Sequence, residues 1–432
     1  MSQPKMTETP NPPYTQPLGN GFTLRTPAGS EDMARVAEFQ TTIFDAAVGR
    51  MMASLLERHP YMTPADQVFV EDAQGRIVSA LCLIPWTWRY GCVELPVGEM
   101  GVVGTAADRR GQGLVRSQVA YFKERLRARG CLLSCIQGIP FYYRQFGYEY
   151  ALPLEGGWRL ELHQVPDLPT PSAEERTYTV RAATLDDLPT LQALYEEAAR
   201  PLAIHAVRDA ATWRYLLEPY TTPHATSRQT LVICDASGAI AGYARLPEFH
   251  FGRELVVDEV SRLRYDAGLT LLHHLRGQAA AAGQPFIRLN LPTQSDLVLL
   301  AKALGAADQG VYAWQIYLPD VAALLRGVAP TLEERLASSL FAGLTRTVRL
   351  SFYREGLALR FEDGRLIEVT PQPRSEPADV SLPLMAFVPL FLGHRTLEEL
   401  RHAYPDVNVS GEWRLLLNIL FPRTDAFIYP SY

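Results

Sequence analysis

Cysteine is scarce in this chain, five residues among 432, at Cys82, Cys92, Cys131, Cys135 and Cys234, with no Cys-x-x-Cys spacing. That excludes a disulfide frame and a thiolate metal site, and the five read as buried free thiols of a reduced compartment. The nine histidines do not cluster, and the adjacent pair His273 and His274 cannot face one site on a helix, so no metal is expected. Basic residues are outnumbered, 41 Lys and Arg against 47 Asp and Glu. The resulting net charge of -6 gives no footprint for nucleic acid. Long apolar runs are missing too: the longest near the C-terminus, Leu382 to Leu392, carries Pro383 and Pro389 and is too short to span a bilayer, so no membrane insertion is expected. Residues 1–20 are polar and Pro-rich without an apolar core, which predicts a disordered leader and not a signal peptide, and a cytoplasmic protein. What is present is an ordinary globular composition, 47% hydrophobic and 20% charged, long enough for two or three domains.

The stretch Met100 to Arg116, MGVVGTAADRRGQGLVR, organises the rest. Met100, Val102 and Val103 suit a buried strand, Ala106 to Arg109 a loop, and Gly111 and Gly113 a turn with backbone angles closed to other residues. Val115, Val119, Phe122 and Leu126 then recur at helical spacing as one apolar stripe. A glycine-rich turn at a helix N-terminus aims unpaired amides and the positive end of the helix dipole at one point, which suits a phosphate. The same turn, taken alone, is more often just a tight turn. Arg109, Arg110 and Arg116 lie near it and are phosphate candidates, whereas Lys123, Arg125, Arg127 and Arg129 read as a solvated helix face.

Cys131 to Gln137 reads as the next strand, followed by an aromatic turn, Phe141 to Tyr148 (FYYRQFGY), around Gly147. In this order the segments resemble the GNAT family of acyl-CoA-dependent N-acetyltransferases. The family signature, Arg or Gln, two residues, Gly, one residue, then Gly or Ala, is met by Arg110 and Gly113, while Val115 departs at the last position.

From Gly21 the chain gives a strand, Phe22 to Arg25, helical patterning through Phe44, a second helix near Ala47 to Arg58, and a hairpin around Asp72-Ala73-Gln74-Gly75. Part of this order repeats. Phe22 to Arg25 is answered by Tyr178 to Arg181, and Gln67 to Pro85 by Thr230 to Pro247, with Asp72 and Gly75 matched by Asp235 and Gly238. Two GNAT-like units are therefore expected, 21–165 and 176–320, joined by a Pro-, Ser- and Glu-rich link. The second lacks the Arg-x-x-Gly-x-Gly turn between Ser261 and Gly268 and is read as degenerate and structural. Residues 321–432 give three strands and then apolar helices, an α+β layer. The fold class is thus α/β with an α+β tail: tandem mixed sheets flanked by helices, plus a third domain. This succession resembles the Eis (enhanced intracellular survival) N-acetyltransferases, whose third domain is similar to a sterol-carrier-protein fold.

The resemblance implies acetyl-CoA as co-substrate and no metal. Backbone groups of Gly111, Gln112, Gly113, Leu114, Val115 and Arg116, with the side chain of Arg110, would hold the diphosphate; those of Val103, Gly104 and Thr105 would pair with the pantetheine arm. Tyr143 is the implied acid, three residues before the Phe-Gly-Tyr string, with Tyr142 as the neighbour that a one-residue slip would select instead. For the base the resemblance offers the carboxylate of Tyr432, and Glu99 is its rival, with a solvated edge charge as the other reading of Glu99. The acceptor would be a primary amine of a polyamine-like, aminoglycoside-like or lysine-bearing molecule; Glu31, Glu38, Phe39, Phe44 and Asp45 are pocket candidates. A homo-oligomer, trimer or hexamer, follows by analogy. Two other classes stay open: a lipid- or sterol-binding carrier, and a GNAT-fold protein without turnover.

Overall fold

The computed structural model describes residues 13–168 and 178–432, except 219, 221, 251, 374 and 410. The first unit runs β1 (Thr15–Gly19), β2 (Phe22–Arg25), α1 (Ser30–Ile43), α2 (Ala46–Arg58), β3 (Gln67–Glu71), β4 (Ile77–Tyr90), β5 (Val93–Thr105), α3 (Leu114–Ala128), β6 (Leu133–Ile136) and β7 (Glu149–Glu161). The second runs β8 (Thr179–Ala182), α4 (Leu188–Ala199), β9 (Ile204–Val207), α5 (Ala210–Leu217), β10 (Arg228–Cys234), β11 (Ile240–Pro247), β12 (Leu255–Val257), β13 (Glu259–Val260), α6 (Tyr265–Ala281), β14 (Phe286–Leu289), α7 (Asp296–Ala303) and β15 (Ala307–Tyr317). The third comprises α8 (Val321–Gly327), α9 (Ala329–Ala337), β16 (Arg346–Ser351), β17 (Gly356–Glu362), β18 (Arg365–Gln372), β19 (Val380–Ser381), α10 (Leu384–Phe391), α11 (Leu397–Ala403), β20 (Asn408–Val409) and α12 (Glu412–Leu420).

The chain is mixed α/β, with two sheets for the tandem units and a third, five-stranded sheet beneath the C-terminal helices. The two units are not separate bodies. In the large sheet the order β4-β5-β6-β15-β7-β14-β12 places the last strand of each unit inside the other: β15 lies against β6, and β7 lies against β14. β9 of the second unit also pairs with β4 of the first, Thr87 opposite Val207 through Tyr90 opposite Ile204.

Several expectations need correction. The leader does not extend to residue 20, because Thr15–Gly19 is a strand paired with β2; residues 1–12 lie outside the described residues. The expected link begins inside the core, with Val165 buried, and its remainder from residue 169 lies outside the described residues. Cys92 is exposed on the turn between β4 and β5, while the other four cysteines are buried and free. The cationic face of α3 is not simply solvated. Arg125 and Arg129 pair with the buried Asp66, and Lys123 donates to the Phe146 carbonyl at 2.8 Å. β12 and β13 are separated only by Asp258, yet they belong to different sheets.

α3 follows its apolar stripe: Leu114, Val119, Phe122 and Leu126 are buried against Leu81, Leu83 and Met100. Val115 is the member that turns partly outward. Asp45 caps α2 by accepting from the Val48 amide at 2.9 Å.

Candidate active site

The site begins at the glycine turn. Gly111 and Gly113 both have φ of 77°, and a Cβ at either would meet nothing within 4 Å, so the backbone angle and not crowding requires glycine. Gly113 is the N-cap of α3 and no side chain caps that end. The first amides of the helix are therefore left open toward the cleft. Arg110 reaches back to the Thr105 carbonyl at 3.4 Å, and Arg116 is exposed with no ion-pair partner among the described residues.

Next to the turn, β5 separates from β6. The two run parallel with Val97 opposite Leu133, Gly98 opposite Ser134 and Glu99 opposite Cys135, and the pairing stops there. Beyond it β5 continues to Thr105 on β4 alone, with a register shift between Ala80 and Cys82 and a positive φ of 49° at Val102. Strands that part this way leave one edge of Val103, Gly104 and Thr105 without a neighbouring strand among the described residues, free to accept an extended ligand. Gln40 of α1 fixes the bulge by donating to the Val102 carbonyl at 2.8 Å. A Cβ on Gly104 would sit 3.0 Å from Gln40 and Ile43, so glycine lets α1 lie against the strand.

The cleft so formed has a volume of about 650 Å³. Val103 to Thr105 and Arg109 to Arg116 line one side, Ile139, Tyr142, Tyr143, Gln145 and Phe146 the other, with Ile43 and Phe44 also on its wall. Every cofactor-binding residue expected from the sequence therefore faces one space, as does the expected acid. Tyr143 is 6% exposed and its hydroxyl has no hydrogen-bond partner among the described residues. Burial pushes its phenol well above the usual value, so it is a protonated donor at neutral pH. Tyr142 reaches the same cleft and stacks edge-on against Tyr143 at 5.0 Å.

How Tyr143 is held has no local signal in the sequence. A Cβ on Gly138 would lie 2.3 Å from the Tyr143 ring, so the ring packs directly on that backbone. The Gly138 carbonyl is held from the second unit, accepting from Tyr312 Oη at 2.9 Å and Gln315 Nε2 at 3.0 Å, both on β15. The unit without its own phosphate turn thus supports the wall of the other's cleft.

At the vertex where β5 and β6 part sits Glu99, 2% exposed and therefore not an edge charge. Its Oε1 accepts from Tyr432 Oη at 2.8 Å and Gln137 Nε2 at 3.4 Å, while Oε2 is buried with no partner among the described residues. Burial raises its pKa to about 8, opposed by the bonds from Tyr432 and Gln137 and by the nearby Trp86 indole. The two rival bases thus meet, but through the Tyr432 phenol. The backbone oxygen of Tyr432 instead accepts from Arg228 Nη1 at 3.1 Å, and Arg228 is paired with Asp258. The path of this tail is fixed by a buried group in the second unit: Glu259 binds Arg208, Arg245 and Tyr243, and Arg208 donates to the Pro430 carbonyl and, at 3.3 Å, to Ser431.

Of the acceptor candidates, only Phe44 reaches the cleft. Glu31 and Glu38 are exposed, Phe39 is core, and Asp45 is engaged in capping. Nothing in their spacing marked these differences.

Residues 26–151 match the family model described as an acetyltransferase (GNAT) domain. The first unit carries a GNAT domain. Among solved structures, the chain is similar to a GCN5-related N-acetyltransferase from Anabaena variabilis ATCC 29413, with a TM-score of 0.67 and 14% identity over 94% of this chain and 99% of that one. It is also similar to a GCN5-related N-acetyltransferase from Kribbella flavida, at 0.63 and 19% identity over 95% and 99%. A third is Eis1 from Mycobacterium abscessus, at 0.60 and 16% identity over 95% and 100%. At such identities the likeness is one of fold, and it extends over nearly the whole chain. No curated protein matches the sequence. The model match ends before β15, so the GNAT domain as matched excludes the strand that supports Tyr143.

Proposed function

We propose that the chain is an N-acetyltransferase that moves an acetyl group from acetyl-CoA to a primary amine by direct attack on the thioester. One observation carries this: the open amides at the start of α3, the unpaired edge of β5 and the unpartnered Tyr143 hydroxyl all line one cleft. The amides and Arg110 and Arg116 hold the diphosphate, and the β5 edge aligns the pantetheine arm. A β5 amide beside the bulge stabilises the oxyanion as the amine nitrogen bonds to the carbonyl carbon. Glu99 lies behind the cleft wall with its Oε2 buried, so it receives the amine proton through intervening water, while Tyr432 and Gln137 fix Oε1. As the carbon–sulfur bond breaks, Tyr143 donates its proton to the departing thiolate. Glu99 is preferred to the Tyr432 carboxylate because the guanidinium of Arg228 on that oxygen would lower its basicity.

The acceptor class remains the polyamine-like, aminoglycoside-like or lysine-bearing amine, and the same reading includes an Eis-like arrangement with a sterol-carrier-like third domain, a cytoplasmic location and a homo-oligomer. Against a lipid carrier, the interior of the third domain is filled by Phe352, Phe387, Phe391 and Phe421, whose rings pack 5.1–5.9 Å apart. The test is thiol release from acetyl-CoA with a panel of such amines: acceptor-dependent release supports the reading, and none across the panel overturns it.

A further inference from the structure

A second concavity, about 390 Å³, lies between the first unit and the C-terminal domain. Arg144 and Tyr150 form one wall; His394, Arg395 and Tyr404 form the other; Pro389, Leu400 and Ala403 add apolar surface. Its volume falls within the ordinary range for small-molecule sites.

Two arginines and two carboxylates line it, and the ion pairs leave one of the arginines without a salt bridge. Of its two carboxylates, Glu149 is already bound by Arg144 at 2.5 Å, and Glu399 by Arg423 through both oxygens at 2.8 and 2.9 Å. Arg395 is exposed and has no carboxylate partner among the described residues. The Tyr404 hydroxyl has no hydrogen-bond partner among them either. For His394, burial first, then Arg395 and Arg423, lower the pKa to about 4 against the opposing pull of Glu399, so its imidazole is neutral at pH 7. One guanidinium without a salt bridge, a free phenol and a neutral imidazole beside apolar surface form a recognition set for a planar anion, with Glu399 the nearest carboxylate it must compete with.

We propose that this cleft binds a small monocarboxylate with an apolar body, the carboxylate on Arg395 and Tyr404 and the body on Pro389, Leu400 and Ala403. The site is separate from the acyl-donor cleft and does not depend on the proposed catalysis.

The test is titration of the full chain with phenylacetate, with phenylacetamide as the neutral isostere, read by calorimetry and by the His394 imidazole resonances. Phenylacetate should bind at least tenfold more tightly than the amide and raise the His394 pKa. Arg395→Met, an exposed change, and Tyr404→Phe should each weaken binding, the former at least tenfold, whereas Arg116→Met should not. Equal binding of the amide, undiminished binding to Arg395→Met, loss in Arg116→Met instead, or no binding of phenylacetate at millimolar concentration would overturn the proposal. Because no acyl donor is present, a protein without transferase activity can still pass.

Discussion

Replacing Gly138 with alanine probes the site through a single methyl group. Gly138 does not have a positive φ, so alanine brings no backbone strain of its own. The new Cβ would stand 2.3 Å and 2.6 Å from two atoms of the Tyr143 ring and 2.9 Å from Gln315 Nε2. Ordinary contact begins near 3.4 Å, so the ring must retreat by about 1 Å. It cannot do so freely, being packed against Tyr142, Phe146 and Tyr148. A displacement of about 1 Å in a catalytic group costs about a hundredfold in rate. The expected outcome is a kcat reduced about a hundredfold, with coenzyme A affinity within about threefold because the turn at Gly111 to Arg116 is untouched. Steady-state kinetics with calorimetry on the same preparation would check it. Full activity would refute the assignment of Tyr143, and a matching loss of coenzyme affinity would show that the two walls are not independent.

Tyr143→Phe should lower turnover by roughly two to four orders with coenzyme affinity unchanged, the range for one proton-transfer group, and an unchanged rate would return Tyr143 to the core. Glu99 is protonated below its raised pKa of about 8, so kcat/KM should climb with pH through that value and level off above it, a limb that Glu99→Gln should abolish. Tyr432→Phe removes a donor that favours the charged carboxylate; the pKa of Glu99 should rise further and the limb should move to higher pH by about one to two units. Glu259→Gln would leave Arg208 and Arg245 buried without a counter-charge, and denaturant unfolding should show a loss of about 3–5 kcal/mol.

The local parts of the site were legible in the sequence. Helical periodicity marks α3, two glycines mark the turn before it, and both lie within a few residues of the groups they position. The hairpin of β3 and β4 and its counterpart in β10 and β11 could likewise be read from alternation and from turns that open on Asp and close on Gly three residues later. What could not be read depends on pairing between distant segments. β15 begins Ala307-Asp308-Gln309-Gly310 and has no apolar alternation at its start, yet it ends between β6 and β7, where Gln315, 177 residues from Gly138, supports the backbone under Tyr143. No local preference encodes that insertion. Glu99 precedes an apolar run and could equally have faced water; only the arrival of Trp86, Gln137 and Tyr432 around it makes it a buried acid. Asp66 is another case: nothing in PAD suggests that it gathers Arg125 and Arg129 from α3.

The central claim is that the backbone between Gly111 and Arg116 receives the diphosphate of a coenzyme. Calorimetry comparing coenzyme A with pantetheine tests it most directly. Coenzyme A should bind with saturable heat and pantetheine, lacking the diphosphate, at least a hundredfold more weakly. Equal affinities, or no heat from coenzyme A, would contradict the account.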